Sequence, residues 1–254
     1  MGQRHISQEV DGDVDEDVAP HVLTRRRRTF RNIRSLEAAA IAGVAYSVLS
    51  VIGLTLLAGF PTLSLDDADL TAWFDDGGNQ ASLILGLNVA TMSSVAFLWF
   101  VAVIRRRVGV HEDRFFATVF LGSALAYVGV WLSGAVALAA PAVAMTMLDA
   151  GSVSSSSASQ AGGVGAAFIL IVAPRLEAVF VLSCSSLIMR AGVLPRWLWI
   201  LGYAAGVVLF VVPILWRPLS LFFPLWVFVV SVAIVLHRPD PAGGSDVSDA
   251  AADG

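Results

Sequence analysis

Long stretches without a charged residue alternate with short charged segments along this chain. The uncharged stretches are residues 38–65, 77–104, 115–148, 150–174, 178–189, 197–216 and 218–237. A helix needs about 20 apolar residues to cross about 30 Å of hydrocarbon. Five stretches are long enough alone, and Val164 to Met189 makes a sixth that two charges interrupt. The pattern therefore predicts six transmembrane helices, near 38–60, 81–104, 115–140, 164–189, 197–216 and 219–237.

The predicted fold class is an all-α integral membrane helical bundle that occupies residues 35–238. The chain is 57% hydrophobic and only 14% charged, whereas soluble domains carry about 25% charged residues. This difference excludes an ordinary soluble enzyme, a disordered regulator and a disulfide-stapled secreted module. Residues 1–34 and 239–254 are polar, acidic and without periodicity, so we expect two disordered tails. The first span has a long polar lead and no small-residue cleavage motif after it, so we do not expect it to be a removable signal peptide.

Arginines near the ends of the predicted spans indicate the orientation in the membrane. The chain has no lysine, and 13 arginines lie at one set of span ends against Arg217 alone at the other. Cytoplasmic ends carry the excess of basic residues, so both termini are expected in the cytoplasm and the protein in the plasma membrane. The external loops are then 61–80, about 141–163 and a turn at Arg217-Pro218. The main predicted anchors are Arg25, Arg26, Arg27, Arg28, Arg105, Arg106, Arg107, Arg190 and Arg196.

Arg175 and Glu177 are the only charged residues that fall inside a predicted span. Charged groups within the hydrocarbon are costly, so they mark a candidate functional site. Residues two apart point about 200° apart on a helix, so each needs a polar partner elsewhere, such as Asn88, Tyr127 or Tyr203. Pro174 removes a backbone donor and is expected to kink the span. The alternative is structural: Arg175 extends towards the outer surface and both residues serve helix packing.

The external segment from Asp66 to Asn79 has the features of a short helix. Ser64 is a possible cap, early aspartates suit the helix N-terminus, and Gly77-Gly78 is a suitable end. Leu70, Trp73 and Phe74 form an apolar stripe that we expect on the membrane surface. Five aspartates could bind Ca²⁺, but the spacing of a helix–loop–helix calcium site is absent. A solvated acidic face is the preferred interpretation.

Small residues at helix-contact spacing predict close packing between spans. Gly202 and Gly206 are four apart in the fifth predicted span, and Ala39, Gly43 and Ser47 are similarly spaced in the first. Such rows allow backbones to approach closely, within one chain or between copies. Packing within the chain is the default, and a homo-oligomer is the alternative.

Residue types needed for common chemistries are missing from the predicted spans. The four histidines lie outside the spans or at their ends, and the single Cys184 cannot form an intrachain disulfide. There is no His-Glu-x-x-His or Cys-x-x-Cys motif, no phosphate-binding glycine loop, and no aspartate within a span. We therefore expect no catalytic residues, no metal, no cofactor and no nucleic-acid partner, and we do not expect an enzyme.

The C-terminal half has a recognisable sequence texture. Residues 190–199, Arg-Ala-Gly-Val-Leu-Pro-Arg-Trp-Leu-Trp, lead into Gly202-Tyr203, and Phe223-Pro224-Leu225-Trp226 follows. Together with the acidic segment that ends at Gly78-Asn79, this resembles uncharacterised bacterial multi-pass membrane proteins grouped as "domain of unknown function 4386". The resemblance covers roughly residues 36–237. It implies a helical membrane protein without an assigned activity, and it assigns no functional residues.

Two functional hypotheses follow from the sequence. The first is a membrane protein of unassigned activity that acts through lipids or membrane protein partners. The second is a small carrier or channel whose polar site contains Arg175, Glu177 and Asn88 beside the Pro174 kink. Its ligand is not indicated by the sequence.

Overall fold

A computed structural model describes residues 40–61, 66–108, 114–148, 151–192, 195–211 and 220–236. The predicted tails, the anchors Arg25 to Arg28 and the predicted cap Ser64 lie outside the described residues. All described residues belong to one compact unit, Leu36–Gly254. Within the described ranges the secondary structure is helical and contains no strand, as an all-α chain requires.

The helices follow one another with short connections. In chain order they are α1 (Ala40–Leu57), α2 (Asp67–Asp75), α3 (Gly77–Val108), α4 (Arg114–Met147), α5 (Ser155–Ala166), a π-helical segment (Ala167–Val172), α6 (Ala173–Ala191), α7 (Arg196–Val211) and α8 (Phe222–Leu236).

Four helical stretches are long and apolar enough to cross a membrane. They are Ala40–Leu57, Gly77–Arg105, Phe115–Met147 and Ser155–Arg190. The last combines α5, the π-helical segment and α6 into one continuous helix. The apolar helices α7 and α8 are shorter, with 16 and 15 residues, so they extend about 24 Å and 22 Å at 1.5 Å per residue.

Neighbouring helices pack antiparallel. Along each contact, residue numbers rise on one helix as they fall on the other. The contacts that show this are Gly43–Phe100 and Leu57–Gly86 between α1 and α3, Gly43–Ser231 and Tyr46–Phe223 between α1 and α8, Phe120–Phe180 and Leu138–Gly165 between α4 and the α5–α6 helix, and Ser185–Gly202 and Leu182–Gly206 between α6 and α7.

The helices extend further into the connection predicted at about 141–163 than the sequence indicated. α4 continues through Pro141 to Met147, and α5 begins at Ser155. Ser154 caps α5 because its Oγ accepts a hydrogen bond from the Ser157 backbone N–H. Serine and glycine favour a loop by propensity, but helix packing overrides that preference here. The connection is therefore shorter than predicted.

α2 forms within the segment predicted to be a short helix, but its apolar stripe faces the protein. Leu70 and Phe74 are buried, and the Phe74 ring packs edge-on against Phe60 beyond α1 at 6.1 Å. The expectation that the stripe lies on the membrane surface is wrong, because these side chains fill the space beside α1. Asp66 is the observed cap, with its Oδ1 accepting from the Asp69 backbone N–H.

Candidate functional site: a buried polar cluster beside an apolar cavity

Two tyrosine side chains meet in the interior of the bundle. The hydroxyls of Tyr46 on α1 and Tyr127 on α4 are 2.8 Å apart and share a hydrogen bond. Both side chains are almost fully buried, with 0% and 2% exposure. Tyr127 lies 13 residues after Arg114, about 20 Å along α4. The pair therefore lies far from either end of α4, whereas Tyr46 is six residues, about 9 Å, from the start of α1 at Ala40.

Glu177 brings a carboxyl group from α6 to the same region. Its side chain is 5% exposed, and it interacts electrostatically with both the Tyr46 and the Tyr127 hydroxyl. Its Oε2 atom is buried and has no hydrogen-bond partner among the described residues. A buried carboxyl oxygen without a partner costs free energy, and more so when it is charged. The Glu177 carboxyl is therefore a position at which a bound proton or ligand would be stabilising.

A serine adds a second unsatisfied oxygen. Ser50 lies one turn beyond Tyr46 on α1 and is 1% exposed. Its Oγ is close to the Tyr46 hydroxyl but forms no hydrogen bond of standard geometry among the described residues. We refer to Tyr46, Ser50, Tyr127 and Glu177 as the polar cluster. Trp131, one turn beyond Tyr127 on α4, likewise has a buried Nε1 without a partner in the described part of the chain.

Aromatic rings cover the polar cluster on the side predicted to face the cytoplasm. Phe97 packs at 4.9 Å from the Tyr46 ring and 5.3 Å from the Tyr127 ring. Each ring is buried and contacts at least one other ring in the set. We call this set the aromatic layer; its members are Phe97, Phe100, Phe120, Phe180, Phe223 and Trp226. It separates the polar cluster from that end of the bundle by closely packed side chains.

An apolar cavity of about 640 Å³ lies on the opposite side of the polar cluster. Leu54 and Leu57 of α1, Leu138 of α4 and Ile169 of the π-helical segment are among its walls. Leu57 is two turns beyond Ser50 on α1, and Leu138 is two turns beyond Trp131 on α4. Two turns correspond to about 11 Å along a helix. The cavity therefore continues the helix faces that carry the polar cluster, towards the predicted outer surface.

Small side chains occupy part of the intervening level on α4 and α6, and the buried Trp131 of α4 also lies there, between Tyr127 and Leu138. Ala135 on α4 and Ala173 on α6 lie between the cavity walls and the polar cluster, and they are 0% and 1% exposed. The cavity and the polar cluster are therefore separated by packed side chains, among them the Trp131 indole.

The π-helical segment determines which side chain of α6 faces the tyrosines. The buried positions of α5 are Ala158, Gly162 and Gly165. Continued at 3.6 residues per turn, they would place Leu176 in the interior. Instead Glu177 is buried and Leu176 is partly exposed, because the wider π turn absorbs about one extra residue.

Arg175 serves the distorted part of the helix and does not join the polar cluster. Its Nη1 donates a hydrogen bond to the Ile171 carbonyl at 2.6 Å. Pro174, at the start of α6, has no backbone N–H to donate, and the π turn already disturbs the regular hydrogen bonds. The guanidinium group therefore forms a hydrogen bond with a backbone carbonyl of its own helix. This agrees with the alternative in which Arg175 has a structural role.

The other residues singled out from the sequence lie elsewhere. Asn88 is exposed, and its Nδ2 donates to the Ile84 carbonyl of its own helix. Gly202 and Gly206 lie at the contact of α7 with α6, against Ser185 and Leu182 respectively.

The described arginine anchors lie at helix ends. Arg105 and Arg196 are exposed near the ends of α3 and α7. Arg190, in the last turn of α6, lies 4.5 Å above the Phe116 ring near the start of α4. The backbone positions of Arg106 and Arg107 belong to α3.

Tyr46 and Ser50 were not singled out as site residues, and Tyr127 was considered only as a partner. A signal was available for one of them: the chain has three tyrosines, and Tyr127 falls near the middle of its predicted span. Tyrosine in a membrane protein prefers the interface, so a tyrosine far from a span end suggests an internal polar partner.

No protein-family model, curated protein or solved structure matches this chain. The structural class of this protein is therefore assigned from its fold alone. The described chain is all-helical, carries four helices able to cross a membrane, and has the architecture of a membrane-embedded protein in contact with lipid.

Proposed function

We propose that the protein is a six-span carrier of the plasma membrane, with both termini in the cytoplasm. The antiparallel contacts support the span count. α1 is antiparallel to α3 and to α8, and the α5–α6 helix is antiparallel to α4 and α7. This alternation follows if each helix from α3 onward reverses the direction of the preceding long helix, as six crossings require. The arginine distribution supports the orientation.

The observation that carries the proposed transport function is the Glu177 carboxyl. It is buried, it interacts electrostatically with the Tyr46 and Tyr127 hydroxyls, and its Oε2 has no partner among the described residues. Carriers hold their substrates at polar sites between helices, and these sites open to one side of the membrane at a time. The aromatic layer and the apolar cavity lie on opposite sides of the polar cluster.

Native mass spectrometry of the full-length protein in lipid nanodiscs tests the site. We expect a small molecule bound to the wild type and to Arg175→Leu, but not to Glu177→Gln. Arg175→Leu is the matched control, because it removes the neighbouring charge without touching the polar cluster. Ligand retention in Glu177→Gln would contradict the proposed site. Elution position and helical circular dichroism show whether each variant is folded.

The same measurement distinguishes a function through lipids or protein partners. That hypothesis expects heterogeneous lipid or a co-purifying membrane protein in all three samples, and no small molecule that depends on Glu177. The family resemblance and the absence of enzyme activity stay predictions.

Orientation is tested by single cysteines and a membrane-impermeant thiol reagent applied to intact cells. Asp69→Cys in α2 is expected to react from outside, and Arg196→Cys at the start of α7 only after the membrane is opened. The native Cys184 is buried and provides the unreactive background. The opposite labelling pattern would reverse the orientation.

A further inference from the structure

The charge around Glu177 determines what the polar cluster is able to hold. Tyr46 faces it from α1 and Tyr127 from α4. α3 and α8 bring the Phe97 and Phe223 rings to the tyrosines. On its own helix, Arg175 is bonded to the Ile171 carbonyl. On α7, the Tyr203 hydroxyl is shared with Ser186.

This environment offers the carboxylate hydroxyls and aromatic faces but no described cation. A carboxylate in a low-dielectric interior requires one compensating positive charge. A proton supplies it by converting the carboxylate into a neutral acid, and a bound cation supplies it directly. Since one carboxylate balances one charge, the two occupants exclude each other.

The surrounding side chains favour an organic cation over a metal ion. The described residues contain no group of three histidine, cysteine or acidic side chains suited to a metal. Four aromatic rings pack together beside the cluster instead: Tyr46, Tyr127, Phe97 and Phe223 lie within 4.9 to 5.9 Å of one another, centroid to centroid, in the contacting pairs. Aromatic faces attract organic cations such as ammonium groups.

The cavity indicates the rest of the ligand. Its volume of about 640 Å³ is within the 300–1,000 Å³ typical of sites for small organic molecules. Leucine, isoleucine and phenylalanine dominate the walls. The Thr55 hydroxyl, also in the lining, already donates to the Val51 carbonyl at 2.8 Å. Such walls suit an apolar body that makes few hydrogen bonds.

We propose that the apolar cavity binds a lipophilic organic cation whose positive charge is balanced by the Glu177 carboxylate, in exchange for one proton. Binding releases the carboxyl proton to water, and departure of the cation allows the carboxyl to take up a proton again. This assignment rests on the proposed carrier function for transport, whereas the binding step stands independently of it.

Access to Glu177 from the cavity requires movement of the Trp131 side chain and of the helices at the level of Ala135 and Ala173. The π-helical segment lies directly beside this level, and its hydrogen bonds are already irregular. π-turns within helices are frequent at functional sites. The segment is therefore the element that adjusts when the charged centre moves from the cavity towards Glu177.

Two probes of nearly the same shape and opposite charge test the ligand class. Tetraphenylphosphonium is a lipophilic cation, and tetraphenylborate is a lipophilic anion. Equilibrium binding of each to the purified full-length protein is measured by calorimetry in two buffers of different ionisation enthalpy, which reports the protons released. We expect the wild type to bind the cation with release of up to one proton, and to show no saturable binding of the anion.

Glu177→Gln is expected to weaken cation binding about 100-fold, since it removes the only carboxylate of the cluster. Glu177→Asp, which keeps the charge, is expected to retain measurable binding, and Arg175→Gln to bind as the wild type does. Absence of cation binding by the wild type, equal binding of both probes, unchanged binding in folded Glu177→Gln, or binding without proton release would overturn the proposal.

Transport is measured separately, so that failure of the carrier function is recognisable. Proteoliposomes with an acidic interior are expected to accumulate tetraphenylphosphonium through the wild type and not through Glu177→Gln. Glu177-dependent binding with proton release but without accumulation would support the ligand assignment and refute the carrier. A Glu177-dependent ligand other than a cation in the nanodisc experiment would support the site and refute the ligand assignment.

Discussion

Tyr46 and Tyr127 are 81 positions apart in the chain, and a single hydrogen bond of 2.8 Å joins their hydroxyls. This bond connects α1 to α4 in the interior of the bundle, where water is scarce and alternative partners are few. It also orients two hydroxyls towards the region of Glu177. The pair thus combines a structural contact with the site proposed to bind a ligand.

The hydrogen bond between these hydroxyls is expected to contribute modestly to stability. Tyr46→Phe and Tyr127→Phe should each lower the free energy of unfolding by about 0.5–2 kcal/mol, as single interhelical bonds in membranes do. Because the two changes remove the same bond, the double variant should be less destabilised than the sum. Thermal unfolding of the four proteins in detergent measures the coupling, and strict additivity would show that the bond contributes nothing.

The packing of α7 on α6 predicts that Gly202 does not tolerate a side chain. A β-carbon there would lie 1.9 Å from the Ser185 Oγ and 3.1 Å from its Cβ. Gly202→Ala should therefore destabilise the protein by about 1–3 kcal/mol through overpacking. Gly122→Ala on α4, where no atom lies within 4 Å, is the matched control and should be neutral or stabilising by about 0.5–1 kcal/mol. Similar melting temperatures for both variants would show that Gly202 does not pack closely against Ser185.

The cavity predicts a difference in accessibility between two alanines. Ala166 lines the cavity, whereas Ala124 is 0% exposed at the level of the aromatic layer. A small impermeant thiol reagent applied from outside should modify Ala166→Cys and leave Ala124→Cys unmodified, as shown by a mass shift of the intact protein. Bound tetraphenylphosphonium should slow the reaction at position 166. Modification of Ala124→Cys as fast as Ala166→Cys would mean that the aromatic layer is not a barrier.

The Arg175 side chain is expected to matter for stability and not for binding. Arg175→Leu removes the exposed hydrogen bond to the Ile171 carbonyl, and a single hydrogen bond contributes about 0.5–1.5 kcal/mol. We expect a lower melting temperature in detergent with unchanged affinity for tetraphenylphosphonium. A loss of affinity without a change in melting temperature would instead place Arg175 at the binding site.

The sequence identified Glu177 as a site residue but not most of the residues around it. Glu177 stands out because a charge inside an apolar run is unusual. Its partners do not stand out, since a tyrosine or serine is compatible with either a lipid-facing or a buried position. The sequence offers Asn88, Tyr127 and Tyr203 as candidate partners, and of these Asn88 is exposed and bonded within α3. The choice between such residues depends on helix rotation, which a run of apolar residues does not specify.

The lengths of the connections were less predictable than the helices themselves. Serine, glycine and proline around residues 141–163 indicate a loop by propensity, but most of this stretch is helical. Small residues there allow close contact with a neighbouring helix, as Gly165 does with Leu138. The same composition is therefore compatible with a loop or with a tightly packed helix end, and tertiary contacts decide between them.

The sequence by itself determined that this chain folds as apolar helices able to lie in a membrane. Apolar runs of about 20 residues have few alternatives there, since a lipid-exposed backbone must satisfy its own hydrogen bonds. Only the tertiary structure decided which side chains meet in the interior. The one-residue shift introduced between Ala167 and Val172 turns Glu177 and not Leu176 towards Tyr46 and Tyr127. Such a shift arises from the balance of packing along the whole α5–α6 helix, so no local pattern of residues predicts it.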